Sequence, residues 1–104
     1  MSSPDFFGAL SNPVRRRILE LLLEKPLPAG AIADAFDLRR PAVSEHLQVL
    51  RLAGLVREEA QGRQRIYHLE AEGLADVEAW LQPFSRYWRA RLRALNRVLA
   101  KEEK

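Results

Sequence analysis

Residues 39–56 read RRPAVSEHLQVLRLAGLV, and the spacing of their apolar side chains decides the fold. At about 100° per residue, Val43, Leu47 and Leu50 share one narrow stripe of a helix, which fixes its core side. Pro41 suits a first turn, and Gly54 suits the left-handed residue that commonly ends a helix. Arg40, Pro41, Ser44, Glu45 and Gln48 then point mostly away from the stripe, with Arg51 flanking it. These are compact or hydrogen-bonding side chains of the kind that reach base edges in a DNA groove.

The flanking sequence completes the motif. A helix over Pro28–Ala35, with Ile32 and Phe36 toward a core and Asp37–Leu38 as a short turn, precedes the quoted helix and makes a helix-turn-helix. After it, LVREEAQGRQRIYHL (55–69) carries two β-prone runs around Gln61 and Gly62, the pattern of a hairpin with Val56, Ile66, Tyr67 and Leu69 as apolar contacts. Arg57, Arg63, Gln64 and Arg65 give that hairpin the character of a wing, whose guanidiniums grip phosphates or enter a minor groove.

Upstream, Ser3 and Pro4 read as a cap and first-turn proline for a short helix through Leu10. Asn12 and Pro13 repeat that grammar for a second helix, with Val14, Ile18, Leu21 and Leu22 at helical spacing and Pro26 as its stop. Downstream, a helical pattern runs from about Ala71 to Lys101, with Pro83 kinking it or splitting it in two. Its seam of Leu74, Val77, Leu81, Phe84, Trp88, Leu92, Leu95 and Leu99 advances in steps of three and four, close to a heptad, so a partner helix is the natural way to bury it. The fold expected is mainly α with a small β-hairpin wing, a single winged helix-turn-helix domain over 1–104 that includes a C-terminal dimerisation helix.

Composition narrows the function. The chain has 104 residues, net charge +3, 14 Arg against 3 Lys, and no cysteine. Residues 39–68 carry +3 and residues 84–104 carry +5, against −1 over 1–38 and −4 over 69–83. Positive charge in two blocks favours a polyanionic partner, and arginine suits phosphate and guanine contacts. Zero cysteines exclude disulfides, thiolate metal sites and thiol redox sensing within the chain. The opening MSSPDFFGAL lacks the basic region and long apolar run of a signal peptide, and no 18 consecutive residues are apolar, so a cytoplasmic protein without membrane insertion is expected.

In order and spacing, ALSNPVRRRILELL (9–22), PAVSEHLQVLRLAGLV (41–56) and GRQRIYHL (62–69) resemble the ArsR family of bacterial winged-helix repressors. The resemblance covers nearly the whole chain. It implies a homodimeric transcriptional repressor on double-stranded DNA, dimerised through its first and last helices, with one recognition helix per subunit in the major groove. The family's serine and surrounding polar positions map to Ser44, Arg40, Glu45 and Gln48. Where family members commonly carry a small capping residue and a glutamine before the recognition helix, this chain has Arg39 and Arg40. Residues 29–36, AGAIADAF, hold no thiolate and the final helix no histidine, the ligand sets of the metal-sensing members. The chain therefore looks like the metal-independent, SdpR-like branch, with no cofactor.

The DNA contacts expected are Arg39, Arg40, Pro41, Ser44, Glu45, Gln48, Arg51, Arg63, Gln64 and Arg65. The dimer contacts expected are Phe6, Phe7, Leu81, Phe84, Trp88, Leu92, Leu95 and Leu99. His46, beside the seam, reads as packed or backbone-bonded, and His68 as a strand residue without a partner pattern. Glu70, Glu72, Asp76 and Glu78 read as complements to a helix dipole, and Phe84, Tyr87 and Trp88 as interface. Arg86, Arg89, Arg91, Arg93 and Arg97 form a solvated face or an extension of the phosphate track. Ser44, Glu45 and His46 are consecutive on a helix and point in different directions, so no nucleophile and base pair forms and no enzyme is expected. The alternative function is a winged-helix protein-interaction module without specific DNA binding, or an autorepressor sequestered by a protein partner. Arg39, Arg40, Arg63 and Arg65 around the recognition helix and wing favour the repressor.

Overall fold

The structure, a computed structural model, describes residues 5–102. The chain divides into two compact units, one ending at Leu74 and one beginning at Ala75. The elements in order are helices α1 (Phe6–Leu10) and α2 (Pro13–Glu24), strand β1 (Leu27–Pro28), helices α3 (Ala29–Phe36) and α4 (Arg40–Leu52), strands β2 (Val56–Gln61) and β3 (Gln64–Leu69), and helix α5 (Ala71–Glu102). This is a winged helix-turn-helix.

Each boundary in the first unit has a local cause. Ser3 and Pro4, expected to open α1, lie outside the described residues; the cap is Asp5, whose carboxylate accepts a hydrogen bond from the Gly8 amide at 2.8 Å. Asn12 caps α2 as the sequence predicts, accepting from the Val14 and Arg15 amides, and Pro13 occupies the first turn. Helix α2 ends before extended Lys25, because the residue ahead of a proline is steered out of the helical region. Asp37 closes α3 in the left-handed conformation (φ 54°), which its short polar side chain tolerates. Gly54, φ 78°, follows the end of α4 in the same conformation.

The expected helix over Pro28–Ala35 is shifted by one residue, because Pro28 belongs to a short strand. The sheet has three strands in the order β1-β3-β2, all antiparallel, with Leu27 opposite Tyr67 and Pro28 opposite Ile66. Two residues of strand are too short for an alternation pattern, so nothing in the sequence announced β1. The hairpin turns through Gly62 and Arg63, with positive φ at the glycine alone, as a type II′ turn requires.

The core of the first unit lies where α2, α3, α4 and the base of β2 converge. Ile18, Ile32, Val43, Leu47, Leu50 and Leu55 are its fully buried side chains, each stabilising the fold by about 1.5–3 kcal/mol relative to exposure. The stripe Val43, Leu47, Leu50 predicted for the quoted helix is thus its buried face.

Helix α5 continues through Pro83 as one helix, so the splitting alternative does not occur. Proline deprives the Ala79 carbonyl of its intrahelical donor, and the Ala, Leu and Arg-rich turns around it sustain the helix. No helix among the described residues is long and apolar enough to cross a membrane.

Candidate nucleic-acid interface

With Val43, Leu47 and Leu50 turned inward, α4 presents Arg40, Pro41, Ser44, Glu45, Gln48 and Arg51 to solvent; Arg39, which precedes it, is exposed as well. The hairpin stands beside this face and encloses a groove of about 590 Å³. Arg40, Ser44, Gln48 and Arg51 line it from α4, Arg63, Gln64 and Arg65 from the wing, and Ala29, Gly30 and Ala31 from the start of α3. The groove therefore brings together seven of the ten residues expected to meet DNA. Arg39, Pro41 and Glu45 are exposed outside it.

Four guanidiniums against one carboxylate, Glu58, make the groove strongly positive. Helix α3 adds to this: its N-cap is Pro28, which offers no side-chain acceptor, so the partial positive charge of the helix start is left for an outside anion. Small side chains at Ala29, Gly30 and Ala31 keep that approach open. Sequence reasoning missed this lining, since a run of small residues has no charge or periodic signal of its own.

Two features orient the polar side chains. Arg51 Nη2 donates to Gln48 Oε1 at 2.9 Å, and because a guanidinium only donates, the Gln48 carboxamide keeps its NH₂ free to face outward. On the wing, Tyr67 donates its hydroxyl to Glu58 Oε2 at 3.0 Å and Arg65 Nη1 donates to Glu58 Oε1 at 3.1 Å. Burial and the neighbouring Glu58 carboxylate hold the Tyr67 phenol above its ordinary value, so it stays a neutral donor. Neither Glu58 nor Tyr67 was foreseen as part of the site, because their position on the groove face depends on strand register.

That register also separates the wing arginines. Arg57 stands opposite His68 on the other face of the hairpin, with Nη1 3.4 Å from Glu59 Oε2 and Nε 4.0 Å from Glu70 Oε2. It is absent from the groove that holds Arg63 and Arg65, so the three guanidiniums expected to grip phosphate lie on different faces of the wing. His68 Nε2 sits 3.3 Å from Glu59 Oε2 but out of hydrogen-bonding alignment. His46, expected to be packed or backbone-bonded, is part-buried, with Nδ1 3.3 Å from Arg15 Nη1.

Known proteins share this fold. A helix-turn-helix domain family model matches residues 10–59. The HTH-type transcriptional regulator Rv2034 of Mycobacterium tuberculosis is 41% identical over 87 residues, covering 83% of this chain and 78% of its own. The transcriptional repressor SdpR of Bacillus subtilis is 36% identical over 78 residues, 75% of this chain and 87% of its own. Among solved structures, the ArsR family transcriptional regulator RHA00566 superposes with a TM-score of 0.71 at 35% identity, over 80% of this chain and 91% of its own. The homodimeric winged helix-turn-helix DNA-binding domain of Mb0332 from Mycobacterium bovis gives 0.64 at 31% identity, over 77% and 74%. Fold and groove define a winged helix-turn-helix regulator. The chain belongs to the ArsR family of transcriptional regulators.

Proposed function

We propose that the protein is a sequence-specific DNA-binding repressor that acts as a homodimer on an inverted-repeat operator. The observation that carries this reading is the groove itself, where base-reading side chains (Ser44, Gln48) and phosphate-seeking ones (Arg40, Arg51, Arg63) converge from two elements on one face. Two-fold symmetry would set the two copies of α4 in successive major grooves about 34–36 Å apart. Arg63, at the hairpin turn, makes no ion pair among the described residues and is offered to phosphate or the minor groove. Glu45 repels phosphate, so its place on the exposed face suits a hydrogen bond accepted from cytosine or discrimination against wrong bases. As a member of a regulator family, the protein is assigned a regulatory role and not a catalytic one.

The exposed apolar residues of α5 and the Phe6–Phe7 pair, whose rings are tilted by 45° with centroids 4.4 Å apart, are the surfaces assigned to the second subunit. Cytoplasmic location, independence of metals and release by a protein partner remain parts of this proposal.

Fluorescence anisotropy on an inverted-repeat duplex, selected by the protein from a randomised pool, and on its scrambled counterpart tests the reading. Arg63→Ala is expected to weaken binding to both and to lower the salt slope by about one. Ser44→Ala or Gln48→Ala is expected to erode the preference between them by about 1–3 kcal/mol for each hydrogen bond to a base that is removed. A wild-type protein with no preference, and Ser44 and Gln48 variants indistinguishable from it, would replace the repressor by a protein-interaction module.

A further inference from the structure

We propose that Glu58 is a positioning and specificity-determining residue of the groove: its carboxylate, fixed by Tyr67, holds Arg65 back from indiscriminate phosphate contact. The inference rests on the DNA-binding reading given above.

A glutamate on a surface that meets a polyanion is a cost unless it does something there. Glu58 faces into the groove among Arg40, Arg51, Arg63 and Arg65, and both of its oxygens are engaged. Oε2 accepts from Tyr67, the residue directly opposite it in the β2–β3 ladder, and Oε1 accepts from Arg65, two residues along on the same face. Ala60 stands opposite Arg65, and its methyl group leaves the arginine room to lie toward Glu58. The Glu58 side chain is 28% exposed and that of Arg65 70%. The anchor is therefore set into the wing while the guanidinium it holds stays within reach of a ligand.

Arg65 has five N–H donors, and one is committed to Glu58. From that fixed position the others remain usable by a DNA whose groove shape brings an acceptor to them. A DNA that does not fit gains from Arg65 only by pulling it off Glu58, which leaves a carboxylate facing phosphates. The pair thus lowers affinity for DNA in general more than for DNA of matching shape. Exposed ion pairs contribute little to folding stability, so removing this one should alter binding far more than the fold. Arg63 has no such counter-charge among the described residues and serves as the ungoverned phosphate contact.

The test uses Glu58→Gln, which keeps the shape of the side chain and removes its charge, alone and combined with Arg65→Ala. Anisotropy is recorded from about 50 to about 200 mM salt on a mixed-sequence duplex of about 30 base pairs and on the selected inverted repeat. On the mixed-sequence duplex, Glu58→Gln is expected to steepen the salt slope by about 0.9 and to tighten binding roughly five- to tenfold near 0.1 M salt, the signature of one added phosphate contact. The ratio of selected to mixed-sequence affinity should fall correspondingly. In the Arg65→Ala background the same substitution should leave the slope unchanged. An unchanged slope for the single variant overturns the proposal. So does an increase of equal size without Arg65, since Glu58 would then act by plain repulsion. If the wild type binds neither duplex at the lowest salt, the DNA-binding reading falls and takes this inference with it. Equal unfolding midpoints for wild type and Glu58→Gln would confirm that the readout is binding and not stability.

Discussion

At the scale of single residues, the least expected assignment is Arg15. In the sequence it is one of three consecutive arginines around the α2 seam, with nothing to distinguish it from Arg16 and Arg17. In the structure its Nε donates to the Ala9 carbonyl at 2.7 Å, its Nη2 to the Gly8 carbonyl at 3.0 Å, and its Nη1 meets His46 Nδ1 at 3.3 Å. A guanidinium has no acceptor, so in this contact Nδ1 can only accept. Arg15 therefore satisfies carbonyls near the end of α1 while tying α2 to the recognition helix. A lysine carries the same charge on a single nitrogen and cannot span three acceptors in a planar fork. Arg15→Lys is expected to lower the unfolding free energy by about 1–3 kcal/mol in urea denaturation, whereas Arg17→Lys, whose Glu20 partner sits at 3.6 Å on an exposed helix face, should be near neutral.

At the scale of elements, the turn from α4 into the wing and the first turn of α5 depend on one another. The Leu55 amide donates to the Leu50 carbonyl at 3.0 Å, and the Glu70 amide to the Leu55 carbonyl at 2.9 Å, bringing the end of β3 back to the end of α4. Gly73 lies against this junction so tightly that a β-carbon there would overlap the Gly54 carbonyl, a backbone atom with no means of turning away. Gly54 has the opposite problem: open space around it but a positive φ of 78°. Gly54→Ala is expected to cost about 1–2 kcal/mol from left-handed backbone strain. Gly73→Ala should cost more, up to about 3 kcal/mol, because the first turn of α5 must shift. Thermal melts of the two variants side by side check the order. Both helix-ending glycine and hairpin turn were legible in the sequence. The role of Gly73 was not, since a glycine within a helical pattern carries no mark of what will pack against it.

At the scale of the whole molecule, residues 75–101 have no core of their own. Ser85 is the one buried residue of that stretch, while Phe84, Trp88, Leu92, Leu95 and Leu99 are 40–53% exposed. A helix with an apolar stripe of this length at coiled-coil spacing is stabilised by packing and not by propensity. Static light scattering at tens of micromolar, on the order of ordinary subunit affinities, is expected to give the mass of a dimer. Trp88→Glu or Leu92→Glu should shift it toward monomer and weaken operator binding together with it, because a single recognition helix covers one half-site. A monomeric wild type would overturn the assignment of these residues. The basic block on the same helix is partly accounted for within it: the Arg91 guanidinium lies 4.6 Å from the centre of the Tyr87 ring, a cation–π contact that leaves this arginine less available to phosphate.

What the sequence determined by itself is whatever depends on neighbours along the chain. The buried stripe of α4, the caps at Asn12 and Gly54, the stop at Pro26 and the hairpin around Gly62 all follow from helical or strand periodicity and from backbone preferences of single residues. Only the tertiary structure decided what depends on strand register and on the approach of distant segments. Register put Glu58, Arg65 and Tyr67 on the groove face and Arg57 on the other, for a shift of one residue inverts every side chain of a strand. Packing of α1 and α4 against α2 turned an ordinary-looking arginine into a structural tie, and pairing with β3 drew Leu27 and Pro28 into a strand too short to show any alternation. Local rules write the elements into the sequence, while the groove between them exists only once the chain has folded back on itself.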